Sequence, residues 1–238
     1  ELGPGAPALD VPAGYPEAPG TGALDALPWP ERIALERALA ASDPRYAPRM
    51  DETGPVLEMP GSVMATFGAS GARLALGGHE TTLRVAAVGR EGSTLPLSRG
   101  SRPEMGGAEV RTTLAAGIVE WWRSLPSGLE HGVTIAERPA GDGELHVEVA
   151  VSGSLSARLL SDDAVELRDA AGARIATYAH LVVIDARGSR VPARMSMDGE
   201  RIALTIDDAA ARYPLVVDPL VTPREATLVA ADANSFDD

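Results

Sequence analysis

The chain has 238 residues, of which 45% are apolar, so it can build a real core as one large or two small units. Acidic residues outnumber basic ones by 34 to 21, and the net charge of −13 argues against a nucleic acid or an anionic membrane as partner. Cysteine is absent, which excludes disulfides, a thiol nucleophile and cysteine-ligated metal.

Residues 1–28 are dominated by Pro, Gly and Ala and have no hydrophobic period, which predicts a linker or extended arm. The chain opens on Glu1 without a charged and then apolar leader. We therefore expect either a cytoplasmic protein or one whose leader has been removed.

Residues 29–59 are predicted to hold one short helix, from 30 to 42, and a connection. Pro30 suits the first helical position, and Asp43-Pro44 ends the helix. A narrow apolar stripe should dock on the rest of the protein, because a lone short helix is marginal in water. The stripe consists of Ile33, Leu35, Ala38 and Leu39.

From 60 to 221, short runs rich in Val, Leu, Ile and Thr recur between Gly, Asp and Ser clusters, with a period of two. We predict an all-β fold, an antiparallel β-sandwich of one large or two small stacked units, with one N-terminal helix and extended terminal arms. Residues 222–238 would be a linker and the start of a next β module. The predicted strands are 63–67, 72–76, 80–88, 108–114, 117–124, 132–138, 144–152, 155–160, 164–168, 173–179, 181–185, 191–197, 201–206 and 213–217.

An Asp and an Arg five residues apart recur at 169–174, 185–190 and 207–212. Asp can open a turn by accepting a bond from the backbone two residues on, and Gly supplies a positive φ. The favoured interpretation is a meander that reuses one hairpin chemistry. The alternative is an acidic ligand held by Arg174, Arg190 and Arg212.

No motif specifies a reaction, and we predict no catalytic residue. The four histidines (His79, His131, His146 and His180) lack the spacing of a zinc protease, and no nucleophile elbow is present. Side-chain carbonyl and carboxylate oxygens are concentrated in residues 232–238, a composition compatible with a calcium site, although the EF-hand order is not met. The candidate calcium ligands are Asp232, Asn234, Asp237 and Asp238.

Trp121 and Trp122 are adjacent, so in a strand their rings face opposite sides. One hypothesis is that an exposed ring stacks on a ligand or anchors an interface. The other is that both rings are buried between the sheet and a neighbouring loop.

Pro214 cannot donate to a sheet ladder, so its strand should start at a sheet edge or pair only after this residue. Tyr213 should be substantially buried, as the aromatic side chain that closes the last turn onto the core.

Two stretches resemble one family. Residues 120–153 begin EWWRSLPSGLEHGVTI, which resembles the E-W-Y-x-N-G-P-x-G-L-E-Q-G-F-T-L segment of large myxobacterial surface proteins. Residues 169–221 contain ARYPLVVDP and resemble the following segment, with its A-R-Y-P-L-x-V-D-P signature. In that family the β-rich region precedes FG-GAP repeats, the blades of an integrin-α-like propeller. The tail at 225–238 is similar to a first blade strand, but Asp237 stands where the family has Gly after Phe236.

The resemblance implies an exported protein at the cell surface or outside the cell after signal-peptide removal, and it supplies no catalytic residues. We expect a non-catalytic module for binding, adhesion or scaffolding, with a surface protein, a polysaccharide or copies of itself as partner and no membrane insertion. One alternative is a polymerising subunit of an extracellular fibre that uses its terminal arms for strand addition. The other is a carbohydrate-active enzyme with two carboxylates across a groove.

Overall fold

A computed structural model describes residues 27–59, 62–68, 70–97 and 100–224. Strands hold 59% of these residues and helices 9%, and the strands form two antiparallel sheets. The predicted β-sandwich with one helix near the N-terminus is therefore confirmed. No helix within the described ranges is long and apolar enough to cross a membrane.

The helix α1 spans Trp29–Ser42, and a single 3₁₀ turn follows it at Pro44–Tyr46. The first sheet contains β1 (Arg49–Met50), β2 (Pro55–Met59), β3 (Val63–Gly68), β4 (Gly71–Leu76), β5 (His79–Arg90), β6 (Ser93–Pro96), β11 (Leu145–Gly153), β15 (Ala193–Asp198) and β16 (Arg201–Ile206). The second sheet contains β7 (Glu104–Gly106), β8 (Glu109–Ala115), β9 (Ile118–Leu125), β10 (Gly128–Ile135), β12 (Ser156–Ser161), β13 (Ala164–Arg168), β14 (Arg174–Ile184) and β17 (Leu215–Pro223).

The first sheet runs in the order β1-β2-β3-β4-β5-β11-β16-β15, with β6 also paired to β5. The second runs β12-β13-β14-β17-β10-β9-β8-β7. Their inner faces supply one shared apolar core. The alternation of β11 shows why: Val147 and Val149 are fully buried, whereas Glu148 between them faces outward to Arg201 on β16.

Most predicted strands match, with two informative differences. Residues 173–179 and 181–185 form the single strand β14, interrupted by a register shift at His180, which has a φ of 59°. The short strands β1, β2, β6 and β7 lay outside the prediction, because two to five residues carry too little alternation to be recognised.

The helix packs on the second sheet, but of the predicted stripe only Ile33 contacts the apolar cluster beneath the helix. Leu35 and Leu39 remain 41% and 40% exposed, while Glu36 and Ala40 are buried. The reason lies in the surface beneath: the backbone N–H and hydroxyl of Ser127 both donate to the Glu36 carboxylate. The docked face is therefore partly polar, and a purely apolar criterion identifies only part of it.

The repeated Asp residues do open turns. At Asp169 the carboxylate accepts a bond of 2.8 Å from the N–H of Ala173. At Asp185 it accepts bonds of 2.9 Å from the N–H groups of Arg187 and Ser189. A further bond of 3.1 Å comes from Arg212 N–H, so Asp185 ties two of the repeated turns together. Burial alone would raise the pKa of Asp185, but these N–H donors outweigh it and lower the pKa to about 2.

The last strand begins directly after Pro214, as expected. Strand β17 pairs with β10 and β14 from Leu215 onward. Tyr213 is half-buried against the core, and its hydroxyl donates to Asp208 at 2.6 Å.

We expect Tyr213→Ala to lower the free energy of unfolding by about 3 kcal/mol, because it removes a packed ring as well as this bond. Tyr213→Phe keeps the ring and should cost only about 1 kcal/mol. Thermal unfolding followed by circular dichroism measures both. A midpoint unchanged in Tyr213→Ala would show that the ring contributes no packing.

Candidate functional site

The most chemically suggestive residues form a cluster inside the core. Glu120 comes from β9, His131 from β10 and Tyr178 from β14, and we call these three side chains the interior triad. The Tyr178 hydroxyl lies 2.8 Å from His131 Nδ1, and His131 Nε2 lies 3.0 Å from a Glu120 oxygen. All three are nearly inaccessible to solvent.

Strand alternation places the interior triad. Glu120 and Trp122 lie on the inward face of β9, and the hairpin register sets Trp122 opposite His131. The indole of Trp122 stacks on the imidazole with centroids 4.1 Å apart. The polar groups are thus enclosed by aromatic and aliphatic side chains.

The hydrogen bonds of the triad start from a phenol that keeps its proton. Burial and the Glu120 charge hold the pKa of Tyr178 well above its usual value, so its hydroxyl keeps the proton. A phenol that donates to His131 Nδ1 leaves the ring proton on Nε2, which then donates to Glu120. These bonds link the three side chains into one chain across the core.

Glu120 also borders a narrow crevice between the sheets. Phe67, Arg84 and Thr112 line it with Glu120, and its volume is about 10 Å³. This is room for about one water molecule. A sugar or peptide does not fit there, so the crevice does not make the triad accessible to such a substrate.

A second polar cluster, the helix-side network, joins α1 to the outer face of the second sheet. Arg37 on the helix donates to Glu130 at 2.5 Å and 2.9 Å and to Asp218 at 2.5 Å. Arg123 also donates to Glu130, at 2.7 Å, and contacts Glu109. Two carboxylates therefore lie side by side beneath the helix, bridged by one guanidinium.

Asp218 is the perturbed member of this network. Burial raises its pKa first, the neighbouring Glu130 charge raises it further, and Arg37 only partly offsets them, so that the pKa reaches about 7. The usual value is 3.8. Between these values the folded chain holds a proton that the unfolded chain has lost. The resulting stabilisation is complete below the lower pKa and is lost as the pH rises through the upper one.

We therefore expect the free energy of unfolding to fall by up to about 4 kcal/mol between about pH 4 and about pH 8 on account of Asp218. Asp218→Asn should remove this part of the pH dependence. Urea unfolding across the range measures the slope, and Asp163→Asn, at an exposed turn, is the matched control. Equal slopes in the wild type and Asp218→Asn would contradict the assignment.

A third cluster, the Arg90 anchor, lies at one end of the sandwich. Arg90 is 0% exposed and donates to both oxygens of Asp208, at 3.0 Å and 2.6 Å. It also donates to the carbonyls of Pro139 and Gly143. Burial would raise the pKa of Asp208, but the bonds from Arg90 and Tyr213 outweigh it and lower the pKa. The anchor fastens two loops to the end of β5.

Both tryptophans are buried, as the second hypothesis for them has it. Trp122 is 2% exposed inside the core, and Trp121 is 8% exposed on the opposite face of β9. The Trp121 ring lies directly on Gly132, where a Cβ would come within 1.9 Å of it, and its N–H donates to Thr134 at 3.2 Å. Neither indole ring therefore exposes a face on which a ligand could stack.

The predicted calcium ligands Asp232, Asn234, Asp237 and Asp238 lie outside the described residues. Within the described ranges, no three His, Asp or Glu side chains are arranged to hold a metal ion.

Sequence reasoning missed the residues that dominate these clusters, namely Arg37, Arg90, Glu130 and Asp218. One signal for the triad was available. A tight turn at Pro126-Ser127 sets Trp122 opposite His131, which places the histidine mid-strand on an inward face rather than at a strand end.

Comparisons of this chain with family profiles, curated proteins and solved structures yield no match.

Proposed function

We propose that this chain is a non-catalytic, exported β-sandwich module that binds or scaffolds at a bacterial cell surface. Its partner is a surface protein or polysaccharide rather than a polyanion, because the chain carries a net charge of −13. Export and surface location rest on the resemblance of residues 120–153 and 169–221 to myxobacterial surface proteins.

One observation favours a binding role over a catalytic one. Every buried carboxylate among the described residues has an Arg or His partner within ion-pair distance. A catalytic carboxylate needs a free face toward its substrate, whereas these groups are used to hold elements together. The seven are Glu36, Glu109, Glu120, Glu130, Glu166, Asp185 and Asp208.

The carbohydrate-active enzyme is disfavoured by the same contacts. The side-by-side carboxylates Glu130 and Asp218 both bind Arg37 beneath α1, so a sugar could reach them only after the helix left. The fibre subunit depends on the two terminal segments, of which only residues 27–28 and 222–224 are described, and it stays a prediction.

Cell binding tests the proposal. Because the chain has no cysteine, Met64→Cys, at a half-exposed position on β3, accepts a single fluorophore. The labelled chain should bind cells of the source organism saturably. The same sample unfolded beforehand is the control. Either protease treatment of the cells or competition by their isolated polysaccharide should abolish binding and so identify the partner class.

A parallel assay follows release of reducing sugar from the same polysaccharide. We expect none. Binding no stronger than that of the unfolded control would overturn the proposal. Sugar release that Glu130→Gln abolishes would replace it with the enzyme.

A further inference from the structure

A groove that is open to solvent lies at the end of the sandwich that holds the Arg90 anchor. It has a volume of about 460 Å³, within the range of small-molecule sites. One wall is the β5–β6 hairpin of the first sheet. The other wall consists of the β8–β9 turn and the loop after β10, at residues 116–118 and 135–140. We call this feature the end groove.

The floor of the end groove is part of the apolar interior. Val88 on β5 and Ile135 on β10 line the groove and belong to the shared core. Leu95 on β6 lies opposite Val88, so its side chain points from the same inner face of the sheet. Leu95 is nevertheless 50% exposed, whereas Val88 is 1% exposed. An apolar group bound in the groove would therefore cover a leucine that the facing sheet leaves half uncovered.

The rim of the end groove carries one charge of each sign. Glu137 and Arg138 are neighbours in the chain, and both are exposed and line the groove. They do not pair with each other, and Glu137 makes no ion pair with any described residue. Arg138 makes only long contacts with Asp208, of 3.4 Å to its carbonyl and 3.6 Å to its carboxylate, which Arg90 already binds. A carboxylate and a guanidinium are thus both available to a bound molecule.

We propose that the end groove binds an apolar α-amino acid in its dipolar form. The ligand side chain lies on Leu95 and the apolar floor, its carboxylate contacts Arg138, and its ammonium group contacts Glu137. Consecutive Cα atoms are about 3.8 Å apart, so both side chains can reach two charged groups that share one carbon atom.

The choice of a dipolar ligand follows from the two rim charges. A simple carboxylate would pair with Arg138 and be repelled by Glu137, and an alkylammonium ion would meet the opposite problem. An uncharged ligand would partly desolvate both groups without pairing either of them. A molecule that carries both charges beside an apolar group avoids each of these costs.

Binding should be weak. The groove is open, and ion pairs at exposed positions contribute little. For a ligand of the size of phenylalanine we expect a Kd of about 1 mM. The inference goes beyond the proposed function and does not depend on it, because the groove takes a small molecule and not a cell surface.

Isothermal titration calorimetry at about pH 6, where an α-amino group is charged, tests the proposal. The probe is L-phenylalanine, and each of three analogues lacks one of its groups. Phenylalaninamide lacks the carboxylate, 3-phenylpropanoate lacks the ammonium group, and glycine lacks the side chain. The two aromatic analogues should bind about two- to fivefold more weakly than phenylalanine. Glycine should bind more weakly by about tenfold or more.

Substitutions at the rim assign the two charged contacts. In Glu137→Gln the preference for phenylalanine over 3-phenylpropanoate should disappear, and in Arg138→Gln the preference over phenylalaninamide should disappear. Physiological ionic strength screens the long-range effect of the net charge in these comparisons.

A substitution on the floor assigns the apolar contact. Leu95→Asp should weaken phenylalanine binding by about fivefold or more, because the ligand side chain would then lie on a charge. Leu39→Asp, at a similarly exposed leucine on α1, is the matched control and should leave binding unchanged. Circular dichroism establishes that the variants are folded, and the analogue series on the wild type decides the question should one of them fail to fold.

Three results would overturn the proposal. The first is the absence of saturable phenylalanine binding at concentrations well above the expected Kd. The second is equal binding of phenylalanine and 3-phenylpropanoate by the wild type, since the site would then recognise a simple carboxylate. The third is binding that Leu95→Asp leaves unchanged, since it would use another surface.

Discussion

Replacing Arg90 by Met should lower the free energy of unfolding by about 3–5 kcal/mol, the usual cost of removing one partner from a buried ion pair. The substitution leaves Asp208, which is 1% exposed, with a carboxylate that water cannot reach and whose main cation is gone. It also leaves the carbonyls of Pro139 and Gly143 without their donor. The loss is a large share of the ~5–15 kcal/mol that stabilises a typical domain.

The chain offers a matched control for burial. Arg194 binds both oxygens of Glu144 at 2.6 Å, the same bidentate geometry, but the two side chains are 52% and 37% exposed. Arg194→Met should therefore lower the free energy of unfolding far less than Arg90→Met does. Urea unfolding of both variants gives the comparison. If the two losses were equal, burial would not be what makes the Arg90 anchor important.

A second variant keeps the test informative should Arg90→Met fail to fold. Arg90→Met combined with Asp208→Asn removes the isolated charge, so it should be more stable than Arg90→Met alone. Recovery of soluble, folded double mutant under conditions where the single mutant aggregates would identify the uncompensated carboxylate as the cause. No recovery would point to lost packing around the guanidinium instead.

Replacing His131 by Leu should cost a similar amount, about 3–5 kcal/mol. The imidazole is the link between Glu120 and Tyr178, so its loss leaves a buried carboxylate and a buried hydroxyl without their partner. It also removes the ring on which Trp122 stacks. Tyr178→Phe removes only the hydrogen bond between the phenol and His131 Nδ1 and should cost about 1–2 kcal/mol.

The triple replacement Glu120→Leu/His131→Leu/Tyr178→Phe should recover most of that loss. Replacing a whole buried polar cluster by apolar side chains is often neutral, because no desolvated group is left behind. Urea unfolding of the three variants measures the order of stability. A triple variant less stable than His131→Leu would show that the triad stabilises the fold by more than its desolvation costs.

The strands were predictable because their signal is local. In β11 and β16 every second residue faces the core, and the alternation HVEVAV and RIALTI is visible in the sequence without any knowledge of the partner sheet. The Asp-opened turns at Asp169 and Asp185 were predictable for the same reason, since donor and acceptor lie within four residues.

The Arg90 anchor and the helix-side network were not predictable because their partners are distant in the chain. Arg90 and Asp208 are separated by 118 residues, and Arg37 and Asp218 by 181. No local sequence feature distinguishes these four charged residues from exposed ones. The buried face of the helix was predicted only in part for the same reason, because burial of Glu36 depends on Ser127, which is 91 residues away.

The central claim is that the buried polar groups are satisfied by partners within the sandwich and take no direct part in the function, which resides on its surface. Cell binding by the labelled triple variant Glu120→Leu/His131→Leu/Tyr178→Phe tests it most directly. With the fold retained by circular dichroism, the variant should bind cells with an affinity within twofold of the labelled wild type. A folded triple variant that binds cells at least tenfold more weakly would contradict the claim and assign the interior triad a direct part in the function.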